Sequence, residues 1–322
     1  MREFHFELAL CAHLERERPE WLLARQLGAS VEGRRIIDVA LVEPGPAFET
    51  RRRATADRIP PLAIESDVGP GEATYWKDAF ECHPDRARAV VDRAVECGFF
   101  ERERRDGREY VRQTVRYPDW FDRIVGIENK PDLDRPGDLQ AQLRTDVALG
   151  LFDEVVLATE SYVTGAHRNR LPEAVGIWRF DPETGDREVV REPTPLSPSE
   201  PGVEPLARTP GRTDVAVVSA AAKARARRRL AERAYGKGWR TYEMPSCRQA
   251  TSGTCAGADG LPYCAYNERF VDAASECGPD CPGYDPADAP PVNHDRERAR
   301  RTPWDPDPEG FAHEQTSLGR FR

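Results

Sequence analysis

The chain has 322 residues, 32% of them charged, with 56 acids against 47 bases and a net charge of −9. No run of 18 apolar residues occurs, which excludes a membrane-spanning helix. The N-terminus MREFHFELALCAHLERE is interrupted by Glu7 and His13 and has no small-residue cleavage site, so the sequence predicts a cytoplasmic protein without a signal peptide. Arginine outnumbers lysine by 43 to four, and with the acid excess this reads as a surface adapted to salt. Total charge does not decide on nucleic-acid binding, which depends on local patches.

Residues 3–26 predict a helix, with Phe4, Leu8, Cys11 and Leu14 on one stripe. Glu7 falls on that stripe. Ile36–Val42 predicts a strand with Asp38 among apolar residues, closed by Glu43-Pro44-Gly45. Residues 45–72 are rich in Pro and Gly and read as loop. ATYWKDAFEC predicts a short helix. Residues 84–97 predict another, opened by Pro84 and closed by Gly98. Two strand-like runs then flank Asp106-Gly107, a hairpin signal. Helix, helix and hairpin make a winged-helix pattern.

Ile124, Val125 and Ile127 predict a strand that breaks at Pro131, followed by a helix with Asp138 as N-cap and Leu139, Leu143, Val147 and Leu151 on one face. DEVVLATE predicts a buried strand, and AVGIWRFD with REVVRE a hairpin. Six prolines in residues 193–212 predict a linker. Residues 214–236 predict an Ala-rich, basic helix. The domain reading is a core of residues 1–50 and 116–192, a winged-helix insertion at 51–115, a linker at 193–212, a basic helix and cysteine-rich region at 213–285, and a flexible tail at 286–322.

The chemistry concentrates in three residues. Glu128 and Lys130 are two apart at a strand end, so both are expected on one face, and Asp38 on a neighbouring strand joins them. Two convergent carboxylates suit Mg²⁺ or Mn²⁺, hard cations that prefer oxygen ligands. A lysine beside a metal-activated water can orient it and offset charge developing on phosphate. Its compact ammonium suits that role better than a delocalised guanidinium, a reason to keep lysine in an arginine-rich chain.

The pattern Asp38…Glu128-Asn129-Lys130 resembles the signature of the PD-(D/E)XK nuclease superfamily. The fold class this implies is α/β: a restriction-endonuclease-like αβββαβ core with an inserted winged-helix unit and a C-terminal cysteine-rich region. The N-terminal half also resembles a family of haloarchaeal proteins without assigned activity. The resemblance implies DNA as partner, phosphodiester hydrolysis as reaction, Asp38 and Glu128 as metal ligands, and Lys130 as their electrostatic partner. Glu7 matches the acidic residue that many members carry on the first helix. Gln142 is similar in position to the glutamine of RecB-type nucleases, although the residue four further on is Asp146 where that pattern has tyrosine. Asp38 follows Ile37 rather than proline, and it stands 90 residues before Glu128, a gap that the insertion accounts for.

Eight cysteines include a cluster, Cys247, Cys255, Cys264, Cys277 and Cys281, with the spacing C-x7-C-x8-C-x12-C-x3-C. Four thiolates can hold Zn²⁺ or a [4Fe–4S] cluster, and the absence of a C-x2-C pair separates this set from an ordinary zinc ribbon. Two further readings stand beside the nuclease: a non-catalytic DNA-binding protein in which the winged helix does the work and the core is a scaffold, and an interaction module organised by the cysteines.

Overall fold

The computed structural model describes residues 3–309. The described chain divides into two compact units, one formed by residues 3–44 and Phe121–Trp304, the other by Gly45–Trp120 with residues 305–309. It is a mixed α/β protein, and among the described residues no helix is long and apolar enough to cross a membrane.

The first unit opens with α1 (Glu3–Glu17). The expected continuation to residue 26 fails at Pro19, which cannot extend a helix. Trp21 onward forms β1 (Leu22–Gly28) instead, antiparallel to β2 (Ile36–Pro44). Every residue of α1 from Phe6 to Glu15 is buried, charged ones included, so the helix is covered on all sides rather than along one stripe.

The chain then forms the second unit. The stretch 45–72, read as loop, contains α2 (Phe48–Ala54) and α3 (Pro61–Glu65). ATYWKDAFEC is not helical: its Thr and Tyr supply β3 (Thr74–Tyr75), in keeping with their preference for strands. Next come α4 (Pro84–Glu96), β4 (Phe100–Arg105) and β5 (Arg108–Gln113). The hairpin turns at Asp106-Gly107, both at positive φ, and the sheet order is β3-β5-β4. Ala87, Val91 and Ala94 of α4 pack with Phe99, Phe100 and Val111 in a core belonging to this unit.

The first unit resumes with β6 (Phe121–Asn129), α5 (Leu139–Leu149), β7 (Glu154–Thr159), α6 (Gly165–Arg170), β8 (Gly176–Phe180) and β9 (Arg187–Arg191). The sheet order is β1-β2-β6-β7-β8-β9. β1, β2 and β6 are antiparallel neighbours; β6, β7 and β8 run parallel; β9 closes the edge antiparallel. Val39, Leu41, Val125, Ile127, Val156 and Ala158 bury one sheet face with α1. On the opposite face Gly126 lies so close to Phe152 that an added Cβ would meet the ring at 2.9 Å.

The expected linker is structured. β10 (Gly202–Thr209) pairs with β11 (Arg212–Val218), and the helix predicted from 214 begins later, as α7 (Ala220–Lys237) capped by Ser219. The β-branched run Val215–Val218 favours the strand. Buried Glu204 accepts hydrogen bonds from the backbone N–H groups of Val31, Glu32 and Gly33, which fixes the loop between β1 and β2. Then follow β12 (Ala250–Cys255), β13 (Ala258–Cys264), β14 (Arg269–Phe270), α8 (Ala273–Glu276) and α9 (His294–Arg301). Trp239, Tyr242, Ala258, Leu261 and Phe270 join the same core as α1, so the cysteine-rich stretch is part of the first unit rather than a region of its own. The expected flexible tail holds α9 within it, and its last part, from residue 310, lies outside the described residues.

Candidate functional site

The register of β2 and β6 pairs Val39 with Ile127, which places Asp38 opposite Glu128. Directly opposed residues of an antiparallel pair point to one face. The two carboxylates therefore meet on the same side of the sheet, although 90 residues separate them. Asp38 Oδ2 also accepts the backbone N–H of Asn129 at 2.8 Å.

Glu7 reaches this place from α1. Arg25 Nε donates to Glu7 Oε1 at 2.5 Å. Gln26 Nε2 bridges Glu7 Oε2 at 3.1 Å and Asp38 Oδ1 at 3.2 Å. Gln26 adopts φ 53, a left-handed conformation costing about 1–3 kcal/mol in a residue with a side chain, and such strain collects at functional sites.

Glu128 and Asp146 share one arginine. Arg35 Nε and Nη2 donate to Asp146 Oδ1 and Oδ2 at 3.0 and 2.8 Å, and Nη2 also donates to Glu128 Oε2 at 2.5 Å. Burial works against the Arg35 charge, but Asp146 and Glu128 outweigh it and raise its pKa. All four carboxyls are held above their ordinary range. Glu128 is pushed up to about 8 by burial and then by the charge of Asp38, with Arg35 pulling the other way. Burial raises Glu7, and Asp38 adds to it; burial likewise raises Asp38 and Asp146. Four acids with two directly paired guanidiniums leave the cluster short of positive charge.

Lys130 directly follows β6, and its backbone N–H still pairs with Ala158 of β7. Its Nζ bonds Glu3 Oε1 at 2.5 Å, so the ammonium is paired with α1 rather than with Glu128. Between Glu128 and Lys130, both polar atoms of the buried Asn129 amide lack a hydrogen-bond partner, an uncommon state for a buried amide. Gln142 is half-buried, one turn before Asp146 on α5. Asp138 makes no side-chain cap. Of the five cysteines, Cys247, Cys264, Cys277 and Cys281 line one small pocket. Cys255 does not; it packs partly buried against the α1 core. Among the described residues no group of three or more His, Cys, Asp and Glu is arranged to hold a metal ion.

Asp38 thus meets Glu128 across the strands and Glu7 through Gln26, while the Lys130 ammonium goes to Glu3. Sequence reasoning missed Arg35, Arg25 and Gln26 and did not place Asp146 in the site. One arginine among 43 carries no mark. Asp146 did carry one: it falls at the buried spacing Leu139, Leu143, Asp146, Leu149 of α5.

A family model for DUF5787, a family of unknown function, matches residues 22–286. The chain belongs to that family. No curated protein and no solved structure matches it. The DUF5787 span begins at β1, so it takes in Arg35, Asp38, Glu128, Lys130, Asp146, the second unit and the five clustered cysteines, and leaves Glu7 outside.

Proposed function

We propose that the protein is a metal-dependent nuclease that hydrolyses phosphodiester bonds in DNA. The observation that carries this reading is the meeting of Asp38 and Glu128 side by side on one sheet face, with Glu7 and Asp146 next to them. The element order α1-β1-β2-β6-α5-β7 fits the αβββαβ order of the PD-(D/E)XK superfamily. The second unit, with three helices, a terminal hairpin and sheet order β3-β5-β4, fits a winged helix in which α4 would face a DNA groove.

The donor chemistry suits Mg²⁺ or Mn²⁺: the acids are hard oxygen ligands, their shared burial leaves them short of cations, and the Arg35 guanidinium is a stand-in on Glu128. Asp38 and Glu128 would hold the ion. When bound, such an ion polarises the phosphodiester and lowers the pKa of the attacking water. Asp146 grips Arg35 with two hydrogen bonds, so the guanidinium keeps a partner when Glu128 turns to a metal. Glu7 positions Asp38 through Gln26. Lys130 carries the compact ammonium that orients water and offsets charge on the phosphate. Gln142, one turn from Asp146, borders the same helix face.

The test is cleavage of DNA by the purified chain in Mg²⁺ or Mn²⁺. Lys130→Ala abolishes cutting and leaves binding intact; equal activity in that variant removes the reading. A second reading, a non-catalytic DNA-binding protein, draws on the Arg35–Glu128 pair, which satisfies the acid without a metal. Binding without cleavage in either metal selects it.

A further inference from the structure

Five cysteines fall between residues 247 and 281, and the fold sorts them four to one. Cys247 precedes β12, Cys264 ends β13, Cys277 follows α8, and Cys281 lies four residues further on. All four line one pocket. Cys255 sits at the other end of the β12–β13 hairpin, where it pairs with Ala258, whereas Cys264 pairs with Ala250 at the pocket end.

The pocket is small, with room for about one water-sized sphere, which suits a single ion. A larger open pocket borders only Cys277 and Cys281 of the set. Two N–H donors aim at sulfur: the Asp285 backbone at Cys247 Sγ, 3.4 Å, and Asn267 Nδ2 at Cys264 Sγ, 3.5 Å. Such donors favour the thiolate, the form that binds metal, and fix its orientation.

The surrounding chain also has little apolar support, although a bridge between Cys247 and Pro286 and the Arg269–Glu276 pair tie it down. Between Val271 and Trp304 no hydrophobic side chain of the described residues is buried, yet the segment is folded. Short segments without a core draw their stability from disulfides or a structural metal. The thiols here are free rather than joined in disulfides, and they are not closed around one point.

We propose that Cys247, Cys264, Cys277 and Cys281 bind one Zn²⁺ ion as a closed tetrathiolate site, which staples residues 272–286 to the β12–β13 hairpin. Four sulfur ligands with no open position give the ion a structural role. Binding releases the thiol protons, so affinity falls in acid.

Elemental analysis of the full chain, prepared in zinc-containing medium under reducing conditions, tests this. One zinc per chain is expected, with no iron. Cys264→Ser and Cys277→Ser each lose the zinc, and Cys255→Ser keeps it. Because a ligand variant can fail to fold, the wild-type chain is also loaded with Co²⁺. It should show the intense visible bands of tetrahedral cobalt thiolate, bleached by one equivalent of zinc, with four cysteines protected from a thiol reagent. Zinc-free protein whose four thiols react freely or form disulfides overturns the proposal. So does iron with acid-labile sulfide, or equal zinc loss in Cys255→Ser.

Discussion

The two ends of α1 each bury a carboxylate, and they solve the problem in opposite ways. In the last turn, Glu15 receives Arg240 through two hydrogen bonds of 2.6 Å, Arg301 at 2.8 Å and the Trp239 indole N–H at 2.9 Å. One acid meets two guanidiniums and an indole. Two turns earlier, Glu7 belongs to a group in which four acids share Arg25 and Arg35. The Glu15 network ties α1 to the chain after α7 and to α9. The Glu7 group is left with surplus negative charge, and every acid in it is pushed toward its protonated form. The Glu15 carboxylate is fully partnered; the Glu7 group is not.

The strongest way to break this contrast is Glu15→Ala. It strands Arg240, only 7% exposed, and should cost about 3–5 kcal/mol in denaturant unfolding. A loss below about 1 kcal/mol would mean that the network does little for stability.

Glu128→Gln tests the other end. Cleavage should fall by about 10²–10³-fold, the scale of removing one electrostatic contributor from an active site, while the unfolding midpoint holds or rises. Lys130→Arg should keep the pair with Glu3 and still lose cleavage; full activity there would remove the argument from ammonium chemistry.

A subtler effect is the pH dependence of stability. Glu128 binds its proton more tightly folded, at about 8, than at its ordinary value of 4.5. The folded state therefore loses stability as pH rises between those values, by at most about 1.4 kcal/mol per unit, and the loss is complete above the window. Mg²⁺ or Glu128→Gln should flatten the slope. A metal-free chain equally stable across that range would show that Arg35 alone balances the acids. The smallest effect belongs to Glu3→Ala. Its carboxylate is 63% exposed, so its pair with Lys130 should contribute within about 1 kcal/mol.

Much of the fold was legible where local signals were strong. Pro84 and Gly98 bounded α4, Asp106-Gly107 marked the hairpin, and short apolar runs marked β2, β6 and β7. β1 was hidden because Leu22 and Leu23 continue the apolar pattern of α1, and only Pro19 betrays the break. β10 was hidden because six prolines look like linker, although only Pro205 lies in the strand and an edge strand tolerates it. The opposition of Asp38 and Glu128 was legible because acids inside apolar strands are costly unless partnered. Arg35 was not, because a loop arginine acquires its role only through tertiary pairing. Five clustered cysteines stood out by number alone; that Cys255 lies apart from the other four follows from the length of a hairpin.

The register of β2 and β6 has one more result. Pro44 and Phe121 are neighbours across two strands, and Gly45 N–H bonds Trp120 C=O at 2.7 Å. The chain thus departs and returns through adjacent points, as at the neck of a bag. Contents of different size or chemistry can be exchanged there without shifting the strands that bring residue 38 to residue 128. Replacing Gly45–Trp120 by a two-residue β-turn should leave the acidic cluster in place.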